Sequence, residues 1–143
     1  METKEMTFDK KVIDRLLKNA GAAYPKEGCG LLLGNSEENI VIDVCFMKNL
    51  AASKRERGCF RIDPLSVYEA ERGVEQKGRR IIGFYHSHPD APAILSDSDR
   101  EYMIPGMVYV VLSVWAKKTR GMRAYFLREA DGEIASVRME IME

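Results

Sequence analysis

The stretch GFYHSHPDAPAILSDSD, Gly83 to Asp99, contains both histidines of a 143-residue chain. It continues RRIIGFYHSH, Arg79 to His88, an apolar and aromatic run of strand type. Successive side chains on a strand alternate faces. His86 and His88 are therefore expected to point the same way, their Cα atoms roughly 7 Å apart, with Ser87 on the opposite face. Pro89 and Pro92 interrupt regular structure, and SDSDREYMI, Ser96 to Ile104, begins a short helix at or near Ser96. Asp99 falls on its first turn, facing back to the strand end. Two imidazoles converging in this way can grip one ion. A His, His, Asp set without a fourth protein ligand suits a catalytic zinc, whose vacant tetrahedral position holds a water with its pKa lowered to about 7. The cysteines offer no C-x-x-C spacing for a structural zinc site.

Outward from this stretch the chain reads as α+β. Phe8, Val12, Ile13, Leu16, Leu17 and Ala20 recur at helical spacing, with a stop expected at Gly21 before Pro25. Cys29 to Leu33 and Ile40 to Met47 read as a hairpin around GNSEEN. GCFRID, Gly58 to Asp63, is a third strand candidate. Asp63 as N-cap and Pro64 at the first helical position open a second helix to about Lys77, closed by Gly78, with Leu65, Tyr68, Ala70 and Val74 as its expected buried stripe. MVYVVLSVWA, Met107 to Ala116, is the most strand-like run and the expected sheet centre. MRAYFLREADGEIASVRMEIM reads as a closing hairpin turned at Asp131-Gly132. The order α-β-β-β-α-β-(short helix)-β-β-β predicts an α/β sandwich, one sheet flanked by helices, in a single domain spanning residues 1–143.

Composition excludes some function classes. The chain is 45% hydrophobic and 31% charged, and its 22 basic residues balance 22 acidic ones. No overall field favours nucleic acid or an anionic membrane, so neither partner is expected. The charged amino terminus lacks a signal-peptide core, and no apolar run approaches the roughly 18 residues needed to span a bilayer. Cys29, Cys45 and Cys59 are an odd number in mostly apolar segments, which suits reduced, buried thiols and a cytoplasmic setting.

The pattern His86-Ser87-His88, seven residues, Ser96, two residues, Asp99 resembles the JAMM (MPN+) metallopeptidase motif, and Glu27 in YPKEGCGLLLG matches the glutamate upstream in that motif. GFYHSHP and EGCGLLLG are most similar to compact prokaryotic members of the sulfur-carrier-protein (CysO-cysteine) peptidase type. The resemblance covers about Val12 to Phe126 and implies a JAMM/MPN-like, cytidine-deaminase-like sheet or half-barrel between helices. It places the zinc site at the end of a central strand and the start of a short helix. It further implies that His86, His88 and Asp99 ligate one zinc per chain and that Glu27 shuttles a proton from water to the leaving amine. Ser96 would then donate to the oxyanion. The implied reaction is hydrolysis of the amide after the C-terminal Gly-Gly of a ubiquitin-like or sulfur carrier protein conjugate.

Plainer readings stand beside these. Ser96 and Asp99 also read as a helix N-cap and its N3 partner. Glu27 in PKEG would by default be a solvated carboxylate. Cys29 is better read as a small buried residue than as a nucleophile. Asp90 and Asp97 are taken as loop and helix-start acids. Two other functions remain in view: a zinc hydrolase of a small non-protein amide, and a non-catalytic MPN scaffold, which the complete motif argues against. A homodimer is compatible with the sequence. NLAASKRERG, Asn49 to Gly58, is the loop that could gate the cleft.

Overall fold

A computed structural model describes residues 4–35, 39–49 and 62–143. In chain order the elements are β1 (Lys4–Asp9), α1 (Lys10–Ala23), β2 (Cys29–Gly34), β3 (Ile40–Met47), α2 (Pro64–Glu75), β4 (Arg80–Pro89), α3 (Asp97–Glu101), β5 (Val108–Trp115), β6 (Lys118–Leu127) and β7 (Ile134–Met142). The strands form one mixed sheet in the order β1-β3-β2-β4-β5-β6-β7. The α+β architecture expected from the sequence is present, and β1 adds to it. By pairing parallel with both β3 and β7, β1 closes the sheet into a barrel.

The sequence reading missed β1 because Phe8 also fits the helical spacing of the residues after it. In fact Met6 and Phe8 alternate inward on β1 and are 2% and 0% exposed. Asp9 then ends the strand and caps α1, its Oδ1 accepting from Lys11 N at 2.9 Å. The helix buries Val12, Ile13, Leu16 and Ala20 against one face of the sheet, where Leu32, Tyr85, Val110, Leu112 and Val114 meet them. Leu17 falls off this stripe and is exposed. Gly21 does not stop the helix, which runs on to Ala23. Its role is close approach: a Cβ there would lie 2.8 Å from the Lys117 carbonyl oxygen, so only glycine lets α1 sit against the β5–β6 turn.

The opposite face carries two smaller cores. Leu31, Leu33 and Ile81 are covered by Val67, Ala70 and Val74 of α2. Ala93, Leu95, Met103, Tyr109 and Val111 pack beside them around the loop that holds α3. The N-cap at Asp63, Pro64 in the first turn and Gly78 at φ +72° are as the sequence predicts. The stripe of α2 is half so: Ala70 and Val74 face inward as expected. Leu65 and Tyr68 are 61% and 57% exposed, because Val67, Ala70 and Val74 at i, i+3 and i+7 occupy the inward face and no residue of α2 is fully buried. GCFRID falls mainly on residues 50–61 and lies outside the described residues, as does most of NLAASKRERG. Among the described residues no helix is long and apolar enough to cross a membrane.

Candidate metal centre

β4 lies between β2, to which it is antiparallel, and β5, to which it is parallel. Its alternation is the one the sequence implies. Tyr85 is packed into the α1-side core, whereas Phe84 packs toward the opposite face, so His86 and His88 emerge between the two smaller cores. The two residues are 0% and 5% exposed, with ring centroids 4.8 Å apart. Past Pro89 the chain folds back along β5, and hydrogen bonds in both directions hold the loop to the sheet. Asp90 N donates to Val114 O at 2.8 Å, Ser113 Oγ to Ala91 O at 2.6 Å and Tyr125 Oη to Ala93 O at 2.7 Å. This pinning delivers the start of α3 to the end of β4.

At that start Ser96 and Asp99 form a reciprocal cap. Ser96 N donates to Asp99 Oδ2 at 2.9 Å, and Asp99 N donates to Ser96 Oγ at 3.0 Å. The structural reading of this pair is therefore present, and the same Oδ2 also faces the histidines. It lies 3.2 Å from His86 Nε2 and 3.1 Å from His88 Nε2, and the two Nε2 atoms are 3.0 Å apart. In a tetrahedron with zinc–ligand bonds of 2.0–2.1 Å, ligand atoms stand about 3.3 Å from one another. The observed triangle is close to one face of that figure. His88 Nδ1 lies 3.0 Å from Pro92 O, a carbonyl that can only accept. In the neutral ring this places the proton on Nδ1 and leaves the Nε2 lone pair turned toward the other two atoms. A carboxylate oxygen and an imidazole lone pair converging at this distance fit a cation.

Glu27 completes the group from the other side. It sits between α1 and β2 and is 6% exposed, which overturns the default of a solvated carboxylate. Its Oε1 lies 3.9 Å from His88 Nε2, and one ligand atom each from Glu27, His86 and His88 fall within 4.8 Å of one another. Both carboxylate oxygens are buried without a hydrogen-bond partner among the described residues. Burial pushes the carboxyl up to about 7, with Asp99 adding to the rise and His88 opposing it. A carboxylate poised there can accept or release a proton near neutrality. The other groups split as their surroundings dictate. Burial drives His86 down, with His88 adding to that and Asp99 opposing it. Burial also acts against His88, but the bonds to Asp99 and Pro92 O outweigh it and raise the ring. Asp99 is desolvated too, yet its bonds to both histidines and to Ser96 N hold it well below the usual carboxylate range.

The remaining candidates stay out of the cluster. Cys29 is 1% exposed, and burial, with Glu27 adding to it, pushes its thiol up to about 12, so it is a packed residue. Asp90 accepts from Tyr24 Oη at 2.7 Å, and Asp97 is exposed on the first turn of α3. Sequence reasoning did not reach the contacts that hold Glu27 in place, from Asn49 Nδ2 to Glu27 O at 3.2 Å and from Gly28 N to Ser87 Oγ at 2.8 Å. The alternation of β4 was the only signal for the second of these. Beside Asp99 an apolar groove of about 530 Å³ runs past Phe84, Tyr109, Val67 and Ile104.

Residues 9–128 match the model of a family described as prokaryotic homologs of the JAB domain. A desampylase of Haloferax volcanii is 33% identical over 103 residues, 71% of this chain and 73% of that protein. A probable TtuB-protein conjugate cleaving protease of Thermus thermophilus is 34% identical over 113 residues, 79% of this chain and 69% of that one. Among solved structures, a Desulfitobacterium hafniense protein determined in solution superposes with a TM-score of 0.81 at 27% identity, over 96% of this chain and 93% of that one.

Proposed function

The chain belongs to the family of prokaryotic homologs of the JAB domain, zinc metallopeptidases of JAMM/MPN+ type, and from that premise we propose that it hydrolyses the amide after the C-terminal Gly-Gly of a ubiquitin-like or sulfur carrier protein conjugate. The observation that carries the reading is the Glu27 carboxylate, buried, unbonded and directed at the His86, His88 and Asp99 triangle. A buried carboxyl without partners is costly to keep unless it serves a reacting molecule.

In this reading His86 Nε2, His88 Nε2 and Asp99 Oδ2 hold one zinc in a domain that spans the whole chain. Bound there, zinc supplies Lewis acidity and lowers the pKa of its water to about 7. Glu27 takes the proton from the water that attacks the carbonyl and passes it to the departing nitrogen, so one group serves as base and then as acid. Ser96 Oγ already accepts from Asp99 N, which leaves its own proton for the carbonyl oxygen as charge builds there. The relatives' names, a desampylase and a TtuB-protein conjugate cleaving protease, support a protein conjugate as substrate. The apolar groove ending at Asp99 is a place for an extended tail, whose terminal glycines let the backbone reach the site.

The test is Glu27→Gln, assayed on a ubiquitin-like carrier bearing a fluorogenic amide on its terminal glycine. The variant should keep one zinc per chain and the parent melting temperature while turnover falls by about a hundredfold or more. Unchanged turnover would remove Glu27 from the mechanism. Hydrolysis of small amides with every Gly-Gly conjugate left intact would replace the substrate class.

A further inference from the structure

We propose that Ser87, Tyr85 and Asn19 are positioning residues that aim Glu27 from the far face of β4. This proposal rests on the reading of Glu27 as the proton shuttle. The observation behind it is an asymmetry. The Glu27 carboxylate has no hydrogen-bond partner among the described residues, so none of them fixes its direction by a bond at its tip. A base that must meet a water keeps its lone pairs open, and its aim then has to come from its backbone.

That backbone is held on both sides. Behind the histidines, Ser87 is 1% exposed and makes two bonds to Gly28, the residue that follows Glu27. Gly28 N donates to Ser87 Oγ at 2.8 Å, and Ser87 N donates to Gly28 O at 3.0 Å. Two residues back on the same face of β4, Tyr85 Oη donates to Asn19 Oδ1 of α1 at 2.8 Å. Ser87 and the Tyr85–Asn19 pair thus form one relay around Gly28, the first bonding its backbone to β4 and the second joining β4 to α1. On the other side of Glu27, Asn49 Nδ2 donates to its carbonyl oxygen at 3.2 Å.

Gly28 is shaped by this relay. A Cβ there would lie 2.7 Å from Asn19 Oδ1 and 2.7 Å from Tyr85 Oη, so the relay packs directly on the Cα of the residue beside Glu27. Alternation on β4 then has a functional consequence. His86 and His88 on one face and Tyr85 and Ser87 on the other tie the ion site and the carboxylate to the same four residues of strand.

The experiment compares zinc-loaded parent, Ser87→Ala, Ser87→Thr and Tyr85→Phe on the fluorogenic carrier. Ser87→Ala should lower kcat about tenfold with KM within about twofold and zinc content unchanged, because a misdirected base costs rate and not binding. Tyr85→Phe, which keeps the aromatic packing, should lose a few-fold. Ser87→Thr, which restores the hydroxyl, should recover most of the rate. In a crystal structure of Ser87→Ala, Glu27 Oε1 should move beyond 3.9 Å from His88 Nε2 while the His86, His88 and Asp99 triangle is unchanged. A lower melting temperature with parental kcat and an unmoved Glu27 would reduce the relay to packing and overturn the proposal. An equal loss from Ser87→Ala in a Glu27→Gln background would also overturn it, since the relay would not be acting through Glu27. Failure of the shuttle reading itself looks different: Glu27→Gln alone would then retain turnover.

Discussion

Cys29 and His86 are cross-strand partners in the pairing of β2 with β4, yet only the histidine reaches the cluster. At pH 8 a thiol held near 12 is ionised in about one molecule in ten thousand, so Cys29 in the folded protein should resist iodoacetamide for hours and react at once when unfolded. Peptide mapping by mass spectrometry checks this, and alkylation of native Cys29 at the rate of a free thiol would contradict its burial. Single residues were legible here in proportion to how much their chemistry depends on spacing. His86, His88, Ser96 and Asp99 lie within fourteen residues, and strand alternation plus one cap is enough to bring them together. Glu27 is different. Composition marks PKEG as a surface turn, and only long-range contacts, from Ser87 to Gly28 and from Asn49 to Glu27, draw it inside.

At the scale of elements, α3 has only five residues, so its position depends on its cap and on the loop pinned along β5. Ser96→Ala removes the acceptor for Asp99 N, for which about 1 kcal/mol of stability is typical. If Ser96 also donates to the oxyanion, the barrier should rise by about 3 kcal/mol as well. Melting scans and kcat on one preparation separate the two: a lower melting temperature with parental turnover leaves Ser96 a cap and nothing more. Elements were legible where local punctuation was strong, as with Asp63-Pro64 and Gly78 around α2. They were misread where two periods overlap. Phe8 satisfies both the strand alternation of β1 and the helical spacing of α1, and Leu65 and Tyr68 are apolar residues that the packing of Val67, Ala70 and Val74 turns outward. The β5–β6 turn gave no glycine or asparagine signal because Ala116 and Lys117 take positive φ themselves.

For the whole molecule, closure of the sheet by β1 could not be read from the sequence, since a parallel pairing between the first and last strands leaves no local trace. The site nevertheless links three separate parts of the chain around that closed sheet: the turn before β2, the end of β4 and the start of α3. Metal binding should therefore register in global stability, because the ligand atoms meet only in the folded state. The sign of its pH dependence follows from the histidines. Burial drives His86 down and Asp99 is held well below the usual carboxylate range, so among the three proposed ligands proton competition falls on His88, with Glu27 beside them pushed up to about 7. His88 is raised above the ordinary histidine value of 6.5, so in metal-free protein its charged form adds stability below about that pH and the contribution is lost as pH rises through the raised value. Zinc needs the neutral ring and stabilises in the opposite direction. The melting-temperature gap between zinc-loaded and chelator-treated protein should thus be widest near pH 8 and shrink steadily toward pH 5. Glu27→Gln removes the neighbouring carboxyl from the titration, and a gap that stayed constant across that range in this variant would take His88 out of the ligand set.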